Sequence, residues 1–600
     1  TTLAGSTINN VSTINGNNKS LTITGAADVD GAITGVTNLS VSGTSNLGAN
    51  VTTSGTQTYT GAVTLGADVV LTSSNSNIIF AAAITGSGKD LTVSTGSGAI
   101  TLANVGTSAA SLGDVVLNSS GATTLGGAVY AASLETDSSG TGAGTIAING
   151  GLVQTTGTQT YREAITLGAN TTLAGSTINN VSTINGSNKS LTITGAADVD
   201  GTITGVTNLS VSGTSNLGAN VTTSGTQTYT GAVTLSGGNR TLTTTDSQIT
   251  FSDIVNSAAT ETRGLTLNVG TSEVEFNGIV GGATDGGLGA IAITGNLDLN
   301  NTITGAASLS VSGTSNLGAN VTTSGTQTYT GAVTLSGGNR TLTGTTINTV
   351  STVDGGGNGF TITGEADIDG EITRVTNLSV FGASNLGANV TTTGTQTYSG
   401  ALTLSGANRT LSTTDSQINF SGTVNSAASQ ARGLTLNVGT SHVAFNGIVG
   451  GEANGGLGAI VINGNLRVNN TITGAASLSV SGTSNLGANV TTSGTQTYTG
   501  AVTLSGGNRT LTTTDSQITF SDIVNSAATE TRGLTLNVGT SEVEFNGIVG
   551  GATDGGLGAI AITGNLDLNN TITGAASLSV SGTSNLGANV TTSGTQTYTG

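Results

Sequence analysis

Residues 42–65 read SGTSNLGANVTTSGTQTYTGAVTL, and the way that stretch returns decides the fold. Its GTQTY segment starts at Gly55 and again at Gly157, Gly225, Gly325, Gly394, Gly494 and Gly594. Two module lengths are interleaved: the short one runs from Gly157 to Gly225 or from Gly325 to Gly394, and the longer one separates the other copies. Residues 1–65 recur at 171–235, where Ser187 replaces Asn17 and Thr202 replaces Ala32. Residues 221–331 recur unchanged at 490–600, and a diverged copy occupies 390–500. A closed globular domain does not tolerate the gain or loss of a third of itself. A stack of turns, in which each turn touches only its neighbours, does.

Within modules, short strands of the form L-x-[VI] return at Leu21 and Leu39, and at Leu242, Leu265, Ile291 and Leu309, and each interval fits one short turn. The strands (LTIT, AIAIT, LSVS, AVTLS, EVEFN) alternate apolar with polar residues, which puts one set inward and the other outward. Gly, Asn, Asp or Ser follows nearly every strand and supplies the sharp corners. The expected fold is therefore all-β: a parallel β-helix, or β-solenoid, of stacked short-strand turns. Residues 1–600 are expected to form one continuous solenoid, with module segments approximately 1–65, 66–170, 171–235, 236–335, 336–404, 405–504 and 505–600. At ~18–33 residues per turn this makes roughly 25 turns. Phe251 and Phe276, repeated as Phe420/Phe445 and Phe520/Phe545, are expected to stack on adjacent turns. A row of separate β-sandwiches fits the mixed spacing less well.

Composition agrees. The chain has 96 Gly and no Pro, Cys, Met or Trp, and only 7% of it is charged, against roughly 25% in ordinary domains. Pro cannot donate to an inter-turn ladder, so its absence suits a chain in which nearly every strand is paired on both sides. A net charge of −18 with 13 scattered Lys and Arg excludes phosphate-neutralising nucleic-acid binding. The longest strongly apolar run, Ile78–Ile84, is far too short to span a membrane. Thr1 onward matches Thr171 onward, and the chain stops inside a motif, so the array is expected to continue in a longer protein.

These Gly/Thr/Ser/Asn-rich turns, L-x-[VI] strands and near-identical blocks resemble the filamentous-haemagglutinin-like and autotransporter-passenger-like β-solenoid surface proteins of Gram-negative bacteria. The resemblance lies in pattern and covers the whole chain. It implies a secreted protein, extracellular or on the cell surface, whose repeats form a right-handed parallel β-helix that serves as a shaft.

Chemistry is sparsely supplied, and no enzyme, cofactor or metal site is expected. The single histidine, His442, stands where sister copies have Glu273 and Glu542, as a surface position would. Asp28/Asp30, Asp198/Asp200 and Asp367/Asp369 form a repeated D-x-D-G pattern whose default reading is turn formation. A calcium loop needs further ligands. The nearest match, GGATDGGLG at 281–289, has Asn454 in place of Asp285 in its diverged copy. Thr-x-Thr pairs do not continue from turn to turn as an ice-binding array would. Asn-x-Ser/Thr triplets, as at Asn38 and Asn50, are too common to establish glycosylation.

Seven of eight tyrosines lie in GTQTY: Tyr59, Tyr161, Tyr229, Tyr329, Tyr398, Tyr498 and Tyr598. Each sits in a longer interval than its neighbours, such as Leu309 to Leu342, that makes either two short turns or a projecting hairpin. The tyrosine either caps a core column with its hydroxyl in water or forms a periodic surface contact. The function expected is a structural shaft or filament, with direct glycan or surface adhesion along it as the alternative and polysaccharide cleavage behind both. Expected partners are further copies of the chain, through end-to-end or lateral contacts, or cell-surface glycans.

Overall fold

The computed structural model describes every residue except 139, 141, 142, 283–285, 454, 552 and 554. It is an all-β solenoid of parallel strands stacked in about 31 turns, with no helix among the described residues. None of those residues therefore forms a helix long and apolar enough to cross a membrane. The chain separates into two compact units, Thr1–Ala307 and Ser308–Gly600, and each is a stack of such turns.

The geometry of a turn is clearest in the second unit. Strands Leu378–Val380, Ser384–Leu386, Val390–Thr392, Gln396–Tyr398 and Leu402–Leu404 begin at a constant step along the chain. The outer two residues of each triplet are buried and the middle one is turned outward. Leu378 pairs with Gln396, and Ser384 with Leu402, so three strands and three short corners complete a turn. The first unit repeats the scheme in Ser215–Leu217, Val221–Thr223, Gln227–Tyr229 and Val233–Leu235. Longer turns keep these faces in register and place the extra residues in corners. Leu411 pairs with Leu436 and Leu436 with Ile462, each a wider step than that from Leu378 to Gln396.

The turns are thus shorter and more numerous than expected. The interval from Leu309 to Leu342 is not one turn, because Leu309 pairs with Gln327 and Gln327 with Ile347. GTQTY contributes an ordinary strand to its own turn and does not project as a hairpin.

Two devices hold the corners. Glycines stack on one another: a Cβ on Gly400 would lie 2.3 Å from the Gly382 carbonyl oxygen, and one on Gly382 would lie 2.3 Å from that of Gly364. Corner Asn and Asp side chains reach along the stack to accept a backbone N–H from the next turn. Asn377 accepts from Thr395 at 2.9 Å, Asn389 from Thr410 at 3.0 Å and Asp415 from Thr440 at 2.8 Å. In the first unit Asn38 accepts from Thr56 at 2.9 Å and Asn50 from Val70 at 2.8 Å. A side-chain oxygen thereby satisfies an amide that the corner would otherwise leave without a ladder partner.

Candidate functional site

The repeated GTQTY segment was the sequence's best candidate for a functional surface. In the structure it is interior. Tyr59, Tyr161, Tyr229, Tyr329, Tyr398 and Tyr498 are fully buried, while Tyr598, in the last turn, is 37% exposed. The periodic surface contact is therefore corrected for those six, and so is the hydroxyl in water. The reason is parity: the tyrosine is the third residue of a strand triplet whose first and third positions point inward.

The partner that makes this burial possible is the glutamine of the same motif. The Tyr59 hydroxyl donates to Gln57 Oε1 at 3.1 Å. Gln57 Nε2 donates to the carbonyl of Thr72 in the next turn at 2.9 Å, with longer bonds to the Val51 carbonyl and the Thr53 hydroxyl, both 3.3 Å. The Thr53 hydroxyl donates to the Gly55 carbonyl at 2.6 Å. The same knot recurs at Gln159, Gln227, Gln327, Gln396 and Gln496, whose Nε2 groups reach the next turn at 2.7 to 2.9 Å. Buried polar groups cost stability unless bonded, and here the amide and phenol satisfy each other. Burial pushes the six phenols well above the usual tyrosine value of 10.0.

Above several knots the column continues in aromatic rings. Tyr398 stacks on Phe420 at 5.4 Å and Phe420 on Phe445 at 5.3 Å; Tyr229, Phe251 and Phe276 do likewise at 5.3 and 5.1 Å. The phenylalanine stacks expected from spacing are present, and each begins on a tyrosine that spacing did not connect to them.

The acidic candidates are dispersed on outer faces. Asp28, Asp198 and Asp367 each accept from an asparagine of the next turn, Asn46, Asn216 and Asn385, at 2.8 Å. Asp30, Asp200 and Asp369 are exposed at the corner beyond. Among the described residues no three His, Asp or Glu side chains gather as metal ligands. Asp285 and Asn454 lie outside the described residues. His442 is half-buried beside Asn465 of the next turn, and burial and the Arg467 charge hold its pKa below the usual value.

Along the second unit, equivalent grooves open in successive long modules. One, of about 520 Å³, is lined by Gln430, Leu457, Thr473, Ala475, Ala476 and Thr491. The other, of about 380 Å³, has Leu557, Thr573, Ala575, Ala576 and Thr591 in the same places. Each has a floor of small side chains and a rim of hydroxyls. No family model matches the chain, and no curated protein or solved structure is significantly similar to it.

Proposed function

We propose that the chain is a segment of an extracellular structural shaft or filament, in a bacterial surface protein of the filamentous-haemagglutinin or autotransporter-passenger kind. The observation that carries this reading is the repetition of a self-satisfied interior. Turn after turn presents the same inward residues, and even the polar ones, Gln and Tyr, bond to each other rather than to a ligand. Such a stack varies in how many turns it has more than in what any one turn does. Labelling intact source cells with an antibody to the repeats, with imaging of the material released, tests it. Surface fibres that carry the epitope support the shaft; an epitope confined to the cytosol rejects it.

A second reading, adhesion along the side, is favoured by the two grooves. Their hydroxyl rims and small-residue floors suit a saccharide chain lying across successive turns. Glycan-array binding by the parent, lost when the outward-facing Ala476 and Ala576 are both replaced by Arg, would support it. Binding that survives those substitutions would reject the grooves as its seat.

A further inference from the structure

One GTQTY copy departs from the rest immediately after its tyrosine. Tyr161 leads into Arg162 and Glu163, where other copies have Thr–Gly or Ser–Gly. Glu163 therefore occupies the corner held elsewhere by Gly231 or Gly400, whose missing side chains make room for the turn before. The turn before Glu163 differs too. Its corner, between strands Ser133–Thr136 and Thr145–Ile148, is more than twice as long as the equivalent three-residue corner between Gln227–Tyr229 and Val233–Leu235.

Glu163 is completely buried (0% exposed), and neither carboxylate oxygen meets a hydrogen-bond donor in ordinary geometry among the described residues. Arg162 turns away to pair with Glu135. The Thr136 hydroxyl accepts from the Arg162 amide at 3.3 Å and faces the Thr160 carbonyl at 3.5 Å. Two backbone carbonyls border the same corner. A Cβ on Gly144 would stand 2.7 Å from the Gly121 carbonyl oxygen, 2.8 Å from that of Ser119 and 2.9 Å from Glu163 Oε1. The buried Asp137 carboxylate repels it from the same corner. Burial pushes the Glu163 carboxyl up to about 7; the Thr136 hydroxyl opposes the rise and the Asp137 charge adds to it.

A buried carboxylate beside carbonyl oxygens, with a second carboxylate nearby, stays ionised only with a positive charge next to it and otherwise takes up a proton. We propose that Glu163, Asp137 and the carbonyls of Ser119 and Gly121 bind a hard divalent cation of the calcium class. Two carboxylates and two carbonyls are the all-oxygen donor class such an ion takes, with water completing its shell, and they offer no nitrogen or sulfur to a softer metal.

The test compares the full chain with its Glu163→Gln variant, by calorimetric titration with calcium chloride at mildly alkaline pH and by thermal unfolding. Glu163→Gly, which restores the residue of the other copies, serves if the glutamine variant does not fold. The expected result is a calcium-binding event and a calcium-dependent rise in Tm in the parent, both lost in the variant. Weak sites elsewhere appear in both proteins and cancel. Identical titrations for parent and variant would overturn the proposal. A second arm follows pH. Without calcium, the parent loses stability relative to the variant as pH rises from about 4.5, where an unfolded glutamate ionises, through about 7. Saturating calcium is expected to abolish that loss. Persistence of the loss in saturating calcium would mean that a proton, not a cation, neutralises Glu163, and would also overturn the proposal.

Discussion

The phenol of Tyr229 donates a 3.0 Å hydrogen bond to the amide oxygen of Gln227, two residues back on the same inward face, and both side chains are fully buried. Gln227 Nε2 in turn bonds the Thr243 carbonyl at 2.9 Å, so the pair ties its own turn to the next from within. Tyr229→Phe leaves the amide oxygen without that donor and is expected to cost about 1–2 kcal/mol. Gln227→Leu strands both the phenol and the Thr243 carbonyl and is expected to cost about 2–3 kcal/mol. A stack of repeats need not unfold in one step. The measurement is therefore native-state hydrogen exchange at Gln227–Tyr229 and Ile249–Phe251, and protection unchanged in both variants would mean the knot contributes nothing.

Alkaline pH should unfold the chain through its tyrosines. An unfolded phenol ionises near 10.0, whereas the six buried ones resist ionisation well beyond that. The folded state therefore holds protons that the unfolded state releases, and stability is lost as pH rises above about 10. Spectrophotometric titration is expected to show these six ionising only as circular dichroism reports loss of strand. Reversible ionisation with the fold intact would contradict their burial.

Gly400→Ala is expected to destabilise its turn by about 1–3 kcal/mol, because the new methyl meets the Gly382 carbonyl, a backbone atom that cannot swing aside. The neighbouring Ser399→Ala, outside that contact, is expected to stay within about 0.5 kcal/mol. Urea-gradient protection of the two variants compares them, and equal tolerance would mean the glycine column is not close-packed.

Ser215 offers the opposite case. Its hydroxyl is buried without a hydrogen-bond partner among the described residues, in a column between Ala197 and Val233. Ser215→Ala removes an unbonded polar group and is expected to be neutral or stabilising by up to about 1 kcal/mol. Thr223→Val, which removes the hydroxyl bonded to the Gly225 carbonyl at 2.6 Å, is expected to destabilise. Exchange at the flanking strands distinguishes the two, and a cost at Ser215 matching that at Thr223 would reveal a partner for the serine.

Strand alternation and module spacing were enough to read the solenoid, because apolar periodicity is local and repeats many times. They also placed the pairing of Phe251 with Phe276. They left the tyrosines between a core column and a surface contact; the core column is right, but the buried hydroxyl was missed, because one aromatic among Gly, Thr and Gln gives no sign of its amide partner. The signal was present: Leu217, Val221, Gln227, Tyr229, Val233 and Leu235 all fall on the inward positions of the evenly stepped strand triplets. Glu163 was not legible, since it stands at a corner position that other copies give to glycine, and nothing in the local pattern marks that position as buried. Handedness and localisation were drawn from resemblance and not from these residues, and the proposed function still rests on that resemblance together with the repeating interior.

The Gln–Tyr knot is succeeded by different turns in different places: Tyr398 lies against Phe420, Tyr329 against Thr349 and Tyr161 against Asn180. The knot demands of its successor a backbone carbonyl, which every residue supplies, rather than a particular side chain. It therefore acts as a universal joint at the level of the gene. Unequal exchange between two copies of its coding sequence rejoins turns that already fit, whichever module is gained or lost. Length in this protein can thus change in a single recombination event, with no compensating mutation needed at the seam.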